Sequence, residues 1–385
     1  MSDRRLILLG AGGPAGFNFV RALRGTYLMQ GLQLVLVDSN ALHLELCRDH
    51  AAWMPERNPP TLRHVMPAVD WEHLAANTWG RDALVHAQPD VLVEQLSAAR
   101  DRPVDGVRAG VTFMPGPRTI AMCQDKFATA HAWRAHHLVE HEPQLVSFRA
   151  DLAAAERDIG YPMWIRARRG AGARHASFAD SRDVAGTWIN YLVHRFGAED
   201  LVVQGYLPGR DYAVTLLYWR GAVQGVLTRE RLEYLYPQHA VSGRTGTPVV
   251  AALVRNERVE AAAELAVRAV SEAVGEAPHG VYCVDLREDA HGLPRPTEIN
   301  AGRFFTTSHV GVGVHVNLVE RYCELHFDGG PSKPPLLLPA DMDGTLVLRH
   351  MDAETQWLHP WSQTPAHRDA VARLREQTMQ SSGRS

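Results

Sequence analysis

The chain has 385 residues, of which 45% are hydrophobic and 22% are charged, and its formal net charge is −3 at pH 7. This length suits two or three domains, and the hydrophobic and charged fractions exclude a disordered chain. The slightly acidic balance excludes a general nucleic-acid binder, which carries a basic excess.

The four cysteines lack the spacing of a zinc site or a disulfide framework. The apolar run near Met1 is too short for a signal peptide, and no segment approaches the ~18 consecutive apolar residues of a membrane span. The histidines are scattered and disfavour a histidine-based metal site. We therefore expect a cytoplasmic protein with neither a membrane nor a nucleic-acid partner.

The first hundred residues read as alternating strands and helices. A buried parallel strand is predicted at "RLILLG" (5–10), and Phe17, Val20 and Leu23 then recur at helical spacing. Further strands are predicted at "LQLVLVD" (32–38), "DVLVEQL" (90–96) and "GVTFMPGP" (110–117). This is a doubly wound α/β pattern.

The glycine-rich turn "GAGGPAG" (10–16) allows two interpretations. With Asp38 as a ribose-binding acid, it would bind a dinucleotide, and the protein would be NAD-linked. Its spacing is not GxGxxG, and the chain offers no recognisable hydride-transfer site. The simpler interpretation is a tight turn whose amides hold an anionic group at a helix N-terminus.

After "PGP" (115–117) the pattern changes to mixed α+β. A helix is predicted from near Ile120 through "CQDKFATAHAWRAHH", and a long amphipathic helix over 257–274, capped by Asn256 and Gly275. Strands are predicted at "PMWIRA", "DLVVQGYL" and in the hairpin "DYAVTLLYW"–"RG"–"AVQGVLTRE". The proline-rich and then charged tail is predicted to be an appended segment with a flexible end.

A second hairpin carries the polar residues that most need an explanation. In "GVYCVDLREDAHGLPRPTEIN" (280–300), a loop over Ala290–Leu293 pairs residue 289 with 294 and places Asp285 opposite Glu298. Cross-strand partners lie ~5 Å apart at Cβ. Asn300 shares the face of Glu298.

Two adjacent carboxylates repel each other unless a cation or proton lies between them. Oxygen ligands of this kind suit Mg²⁺ held against nucleotide phosphates, and Arg303 lies close enough in sequence to reach a phosphoryl group. The alternative is an exposed hairpin face with acids placed by chance. The hairpin alone does not decide between the two.

The order of motifs along residues 5 to 325 resembles the ATP-grasp superfamily, most closely its carbamoyl-phosphate-synthase-like and pyrrolysine-biosynthesis-ligase-like branch. These motifs are "GAGGPAG", "DK" (125–126), "YPMWIRARRGAGARH", "VVQGYLPGRDY", Asp285 and "EINAGR". The resemblance implies an N-terminal Rossmann-like domain (1–116), a two-lobed ATP-grasp domain (117–328) with a small lid lobe at about 147–206, and a C-terminal extension (329–385).

The same resemblance implies a nucleotide site. Lys126 and Arg166 reach the ATP phosphates, Asp211 takes the ribose hydroxyls, and a mobile lid closes over the phosphates. The lid comprises Gly170, Ala171 and Gly172, and the hinge strand beside adenine comprises Gln204, Tyr206 and Leu207.

The resemblance also implies that Asp285, Glu298 and Asn300 hold Mg²⁺. Two ions are expected, with Glu298 bridging them and Mn²⁺ as a second candidate metal. Arg303 would steady the transferring γ-phosphoryl group, so that Arg303, Lys126 and Arg166 form the catalytic set.

Four features depart from the family pattern. Arg166 and Asp211 replace a common lysine and glutamate, Gly205 replaces a common glutamate, and the lid carries Arg174 and His175. These changes bear on nucleotide affinity but leave the proposed metal ligands intact.

The function implied is an ATP-dependent carboxylate–amine ligase that forms an acyl phosphate, releases ADP and phosphate, and acts on amino-acid-like small molecules. Arg229, Arg231 and Arg244 lie on or after the central hairpin and suit a substrate carboxylate. A kinase-like enzyme that stops at an acyl or carboxy phosphate is the alternative, and a homodimer is a candidate assembly.

Overall fold

A computed structural model of the protein describes residues 4–45, 62–66, 68, 82–100, 112–147, 151–170, 175–197, 200–239, 248–350 and 353–380. Its strands form three sheets, and a cavity lies between the second and the third.

The first sheet is parallel and has the order β3-β2-β1-β4. Its strands are β1 (Arg5–Leu9), β2 (Gln33–Asp38), β3 (Leu62–Val65) and β4 (Ala83–Ala87). Helix α1 (Pro14–Leu23) follows β1 directly, as predicted, and begins with proline at its first position. The predicted parallel sheet is confirmed.

The strand predicted at 90–96 is wrong, because these residues begin helix α2 (Asp90–Arg100). Val91 and Val93 alternate like strand residues, but the buried side chains Val93, Leu96 and Ser97 follow the three-to-four-residue period of a helix. The strand that fills this place in the sheet is β4. Of the segment 110–117, Thr112 forms only an isolated bridge to Val85.

The helix predicted from Ile120 is two helices, α3 (Pro117–Gln124) and α4 (Lys126–Ala135). Asp125 separates them, with its side chain accepting hydrogen bonds from the amides of Phe127 and Ala128, both at 3.1 Å. This N-cap favours a new helix start over continuation.

The second sheet is antiparallel and has the order β5-β8-β6-β7. Its strands are β5 (Gln144–Val146), β6 (Met163–Ala167), β7 (Ala176–Ala179) and β8 (Leu201–Gly205). Helices α5 (Leu152–Asp158) and α6 (Arg182–Phe196) accompany it, and their buried side chains share one small core with the sheet. This sheet lies in the segment predicted as the lid lobe.

The third sheet has seven strands in the order β13-β12-β9-β10-β11-β14-β15. Its strands are β9 (Asp211–Trp219), β10 (Ala222–Tyr234), β11 (Pro248–Val254), β12 (Gly280–Glu288), β13 (Pro294–Ala301), β14 (Thr345–His350) and β15 (Ala353–Leu358). Helix α7 (Glu257–Val274) packs its apolar face on this sheet and is capped by Asn256 and Gly275, as predicted.

On its other face the large sheet shares a core with the first sheet. Leu8 of β1, Leu217 of β9 and Val347 of β14 belong to one cluster of buried side chains. Helix α8 (Leu318–Phe327) contributes Tyr322 to the same cluster. Because this core is continuous, the N-terminal and central parts of the chain are held together by apolar burial.

The C-terminal segment, predicted to be appended to the fold, packs against the large sheet. Strands β14 and β15 extend the large sheet through β11, and helix α9 (Pro365–Gln380) packs beside β10. Arg375 of α9 donates to both carboxylate oxygens of Glu230, at 3.0 and 2.6 Å. Helix α9 covers residues 365–380, residues 381–385 lie outside the described residues, and the flexible end stays a prediction. The domain boundaries stay predictions.

The hairpin β12–β13 has the predicted pairing of Asp285 with Glu298. The pairing of 289 with 294 is wrong by one residue, because Pro294 pairs with Glu288 and Thr297 is left over as a β-bulge. Tyr282, Val284 and Ile299 face the core with α7. Across the described residues, no helix is both long enough and apolar enough to cross a membrane.

Gly280, the first residue of β12, tests how closely this strand packs against Met114. Its φ is +86°, and a Cβ atom there would lie 2.7 Å from Met114 Cα. We expect Gly280→Ala to lower the free energy of unfolding by about 2–4 kcal/mol, through left-handed backbone strain and overpacking. Urea unfolding followed by circular dichroism measures the change.

Gly275→Ala is the matched control, since Gly275 has a φ of +69° but no atom within 4 Å of the added Cβ. Gly275→Ala should lower the free energy of unfolding by only about 1–2 kcal/mol. Equal losses in the two variants would contradict the close approach at Gly280.

Candidate active site

A cavity of about 720 Å³ opens between the small sheet and the large sheet. Its walls come from β6 and β8 on one side and from β9, β10, β12 and β13 on the other. Most of the predicted site residues line it: Lys126, Arg166, Gly170, Gln204, Tyr206, Leu207, Asp211, Arg231, Asp285, Glu298, Asn300 and Arg303. Residues distant in sequence are thus brought to one place.

Asp285 and Glu298 face each other across β12 and β13 at the cavity wall. The Asn300 amide donates to Asp285 Oδ2 at 3.2 Å. Burial raises the pKa of Asp285, and the charge of Glu298 raises it further, while Arg231 opposes both. A cation at this point would relieve the repulsion between the two carboxylates.

Lys126 and Arg166 approach these acids from the other side. Lys126 Nζ lies 3.7 Å from Glu298 Oε1 and donates to the carbonyl of Gly170 at 2.5 Å. Arg166 donates to Gln204 Oε1 at 2.7 Å and to the carbonyl of Thr297 at 2.6 Å. Burial lowers the pKa of both cations. The charge of Glu298 raises it again and thereby stabilises their charged forms.

The bulge at Thr297 explains how Arg166 is held. A bulged residue is left out of the strand ladder, which frees its carbonyl for another partner. Here that carbonyl accepts from the Arg166 guanidinium, while the Thr297 hydroxyl donates to the carbonyl of Asp285 at 3.1 Å. The small sheet and the acid-bearing hairpin are joined at this point.

Arg303 is held between the N-terminal region and the hairpin. Its guanidinium pairs with Asp90 at the start of α2 and donates to Asn300 Oδ1 at 2.5 Å. Asp90 is not singled out by the sequence, because the segment 90–96 resembles a strand. An acid in the first turn of a helix that follows a parallel strand is the signal that would have found it.

Arg231 is bound by two acids. It donates to Asp285 and, at 3.0 Å, to Asp211 Oδ1, while Tyr234 donates to Asp211 Oδ2 at 2.8 Å. Asp211, predicted to hold ribose hydroxyls, therefore has both oxygens engaged. Arg229 does not line the cavity: it is 3% exposed, and its guanidinium lies 4.9 Å from the centre of the Phe305 ring.

The hinge end of the cavity is aromatic. Tyr206 has the rings of Trp164 and Phe178 at 6.3 and 4.7 Å, and the Arg287 guanidinium lies 5.3 Å from its centre. A Cβ at Gly205 would have its nearest atom, from His141, at 3.6 Å, an ordinary contact distance, so glycine leaves this end of the cavity uncrowded. Such a slot suits a planar ring.

Three of the predicted site residues have no described position. Ala171, Gly172 and Arg244 lie outside the described residues. Gly170 is the described part of the lid, and its carbonyl accepts from Lys126 Nζ at 2.5 Å. Two residues before it, Arg168 is held by Asp125 and Asp200, at 2.7 and 2.9 Å.

The side-chain oxygens of Asp285, Glu298 and Asn300 are candidate ligands for a metal ion. Within the described ranges, no group of three or more His, Cys, Asp or Glu residues has the geometry of a metal site. Two carboxylates and the side-chain oxygen of Asn300 remain, and these hard oxygen donors suit Mg²⁺ when phosphate oxygens and water complete its shell. The chemistry of the residues therefore fits a magnesium ion.

No protein-family model matches the chain, and no curated protein matches it. Solved structures do. The N5-carboxyaminoimidazole synthetase of Staphylococcus aureus, complexed with ADP, is similar at a TM-score of 0.63 and 15% identity, over 90% of this chain and 82% of that one. The phosphoribosylamine–glycine ligase of Thermotoga maritima is similar at 0.62 and 13%, over 89% and 79%.

A third similar structure is the biotin carboxylase domain dimer of the Hydrogenobacter thermophilus 2-oxoglutarate carboxylase, in complex with MgADP, ADP and bicarbonate. Its TM-score is 0.65 at 14% identity, over 91% of this chain and 75% of that one. These proteins share the ATP-grasp architecture. The chain has the ATP-grasp fold. The fold implied by the order of sequence motifs is therefore confirmed, and the ATP-grasp arrangement of two lobes around a cleft matches the cavity described above.

The turn that connects β12 to β13 in this ATP-grasp fold offers a pH-dependent test. Asp289 Oδ1 accepts from the amides of His291 and Leu293, and Oδ2 accepts from Arg295 Nε, all at 2.9 Å. Burial alone would raise the pKa of Asp289, but these three donors together lower it.

A carboxylate with a lowered pKa stabilises the folded state above its unfolded pKa of about 3.9, and the contribution is lost as the pH falls further. We expect Asp289→Asn to cost about 1–2 kcal/mol at pH 7, the range for hydrogen bonds to a charged group. The difference from the unmodified protein should shrink below about pH 4. Thermal unfolding at pH 3 to 7 measures it.

Asp341→Asn is the control, since Asp341 is exposed. A stability difference for Asp289→Asn that stayed constant from pH 7 to pH 3 would contradict the assignment.

Proposed function

We propose that the protein is an ATP-dependent ligase that joins a small carboxylic acid to an amine and releases ADP and phosphate. The observation that carries the proposal is the apposition of Asp285 and Glu298 in a cavity that Lys126, Arg166 and Arg303 also line. Opposed acids ringed by cations suit a polyphosphate that arrives with magnesium.

In this proposal the nucleotide lies along the cavity from hinge to hairpin. Tyr206 and Leu207 flank the base with Gln204 beside them, and Asp211 serves the ribose once its present contacts exchange. Lys126, Arg166 and the lid from Gly170 hold the phosphates. The lid residues Ala171 and Gly172 belong to the same proposal.

Asp285, Glu298 and Asn300 would hold Mg²⁺, whose chemistry is to neutralise phosphate charge and align the γ-phosphoryl group. The number of ions and the use of Mn²⁺ stay predictions. Arg303 would steady the same phosphoryl group, and its contacts with Asp90 and Asn300 fix its orientation.

The reaction follows from the weakness of carboxylate as an electrophile. Its oxygen attacks the γ-phosphorus of ATP, ADP leaves, and an acyl phosphate forms. The amine then attacks the acyl carbon, loses a proton, and phosphate leaves as the amide forms. Lys126, Arg166 and Arg303 spread the negative charge of the phosphoryl transfer over three fixed cations, and lid closure keeps water from hydrolysing the acyl phosphate.

Arg231 is our candidate for the substrate carboxylate, with Arg229 and Arg244 as further candidates. Arg231 lines the cavity beside Asp285, and a planar guanidinium binds a carboxylate through two parallel hydrogen bonds. Its two acidic partners hold it in place until a substrate arrives.

The NAD-linked alternative loses support at the glycine turn. Asp38 accepts from the amide of Gly12 at 2.9 Å and from the amide of Asn40 at 3.0 Å. A Cβ at Gly12 would lie 2.2 Å from the Cβ of His43. Backbone amides engage the Asp38 carboxylate, and His43 occupies the space beside Gly12.

A panel of carboxylic acids and amines, assayed for ADP release with MgATP, tests the proposal. Ligation requires both substrates for sustained release, whereas a kinase-like enzyme requires only the acid. Thermal shifts with MgADP and NADH add a binding test, in which stabilisation by NADH alone would overturn the ligase proposal.

Glu298→Gln should reduce ADP release by at least about 100-fold, because it removes one of the two opposed charges that hold magnesium and phosphate. Glu257→Gln, an exposed change of the same charge on α7, should leave the rate unchanged. A rate for Glu298→Gln within twofold of the unmodified protein would refute the assignment of this glutamate.

A further inference from the structure

A cluster of basic side chains lies beside the cavity, and only one of its members, Arg229, is named above, as a further candidate for the substrate carboxylate. We call it the arginine cluster: Arg229 of β10, Arg349 of β14, Arg21 of α1 and His309, which lies in a 3₁₀ helix over Ser308–Val314. Four separate elements supply it. Their convergence is a product of the tertiary fold.

Packing around the 3₁₀ helix places these groups near one another. His309 Nε2 lies 2.9 Å from Thr355 Oγ1 of β15, which pairs with β14, and a Cβ at Gly311 would lie 3.0 Å from Leu227, two residues before Arg229 on β10.

The electrostatics agree with this packing. Burial lowers the pKa of His309 to about 2, and the charges of Arg21, Arg349 and Arg229 all lower it further. Burial lowers the pKa of Arg229 to about 9, with additional lowering by Arg231 and Arg349. The pKa of Arg349 falls to about 10, through burial and then Arg21. Each cation thus repels the next.

Buried nitrogen atoms of the arginine cluster have no hydrogen-bond partner among the described residues. In the part of the chain that the structure describes, no acceptor bonds to the Arg229 guanidinium, which is 3% exposed. Arg349 Nη1 and His309 Nδ1 are buried without a hydrogen-bond partner. A buried donor without an acceptor costs about 1–3 kcal/mol, and like charges add to that cost.

The cluster adjoins the cavity at Phe305. Arg231 and Phe305 line the cavity, and the guanidinium groups of Arg229 and Arg231 lie 4.9 and 5.5 Å from the centre of the Phe305 ring. Unlike Arg231, which is neutralised by Asp211 and Asp285, Arg229 forms no salt bridge with any described residue. The positive charge of Arg229 therefore lies against Phe305, next to the part of the cavity that Arg231 lines.

We propose that Arg229 and Arg349 bind an anionic group, a carboxylate or a phosphate, that one ligation substrate carries in addition to its reacting group. Guanidinium forks match the oxygens of both groups, and neutral His309 has a free ring nitrogen to add a hydrogen bond. The proposal rests on the proposed function, which it narrows: one substrate has two functional ends, with its remote anion in the arginine cluster.

The test measures binding of two probes, inorganic phosphate and succinate, by thermal shift and calorimetry, with acetate and chloride at equal ionic strength as comparisons. Each titration is performed with and without saturating MgADP. We expect phosphate or succinate to raise the melting temperature saturably, because an anion bound only to the folded state stabilises it. Which probe binds more tightly identifies the class of anion.

Arg229→Gln and Arg349→Gln should each weaken that binding at least tenfold. Arg258→Gln, an equal charge change at an exposed position on α7, should leave it unchanged. Without any added anion, Arg349→Gln should melt no lower than the unmodified protein, because the substitution removes repulsion from Arg21. A purely structural arginine would instead leave the variant less stable.

Arg349→Lys provides a second variant that keeps the charge but loses the fork, and it should weaken binding at least threefold. The inference is overturned if neither probe binds saturably, or if all variants bind the better probe as tightly as the unmodified protein. Failure of MgADP to bind would count against the ligase proposal alone, since the titrations without nucleotide report on the arginine cluster separately.

Discussion

The apposition of Asp285 and Glu298 across two antiparallel strands is the constraint on which the site depends. Two carboxylates held side by side and partly desolvated favour a positive partner, and the structure surrounds them with Lys126, Arg166 and Arg231. The fold supplies the rigidity that this arrangement needs, because the backbone of both strands is fixed by ladder hydrogen bonds and by the packing of α7 beneath them. Charge and geometry are thus set by the same hairpin.

Around that pair, shared partners connect parts of the chain that are far apart. Arg303 joins Asp90 of the N-terminal region to Asn300 of the hairpin, and Arg166 joins the small sheet to the bulge at Thr297. Such contacts are partly buried and charge-assisted, so they fix orientation more strongly than surface pairs do. The lobes that form the cavity are therefore tied to each other through the groups proposed for the chemistry.

The arginine cluster has the opposite character. Where Arg231 has two carboxylates, Arg229 and Arg349 form no salt bridge with any residue that the structure describes. Proteins keep buried charge unneutralised at sites that interact with something from outside, since the cost of desolvation has to be recovered in another step. This contrast between two neighbouring arginines on one strand, Arg229 and Arg231, is the basis on which we propose a substrate subsite beside the cavity.

Much of the local structure could be predicted from the sequence alone. Short-range signals specified α7 with its two caps, the strand–turn–helix at the N-terminus and the pairing of Asp285 with Glu298, because periodicity, capping residues and hairpin length act over a few residues. The same short range explains the errors. Alternating valines at 91 and 93 resemble a strand until burial is known, and the bulge at Thr297 shifts the register by one residue beyond the reach of simple counting.

Only the tertiary structure decided which distant groups meet. Asp90 reaching Arg303, β14 and β15 completing the large sheet, and the convergence of Arg21, Arg229, Arg349 and His309 all depend on how separate elements pack. Sequence determined the hairpin acids and their order among the other motifs, because both are encoded along the chain. The partners of those acids, and the unneutralised charge beside them, were decided by long-range packing, which no local pattern records.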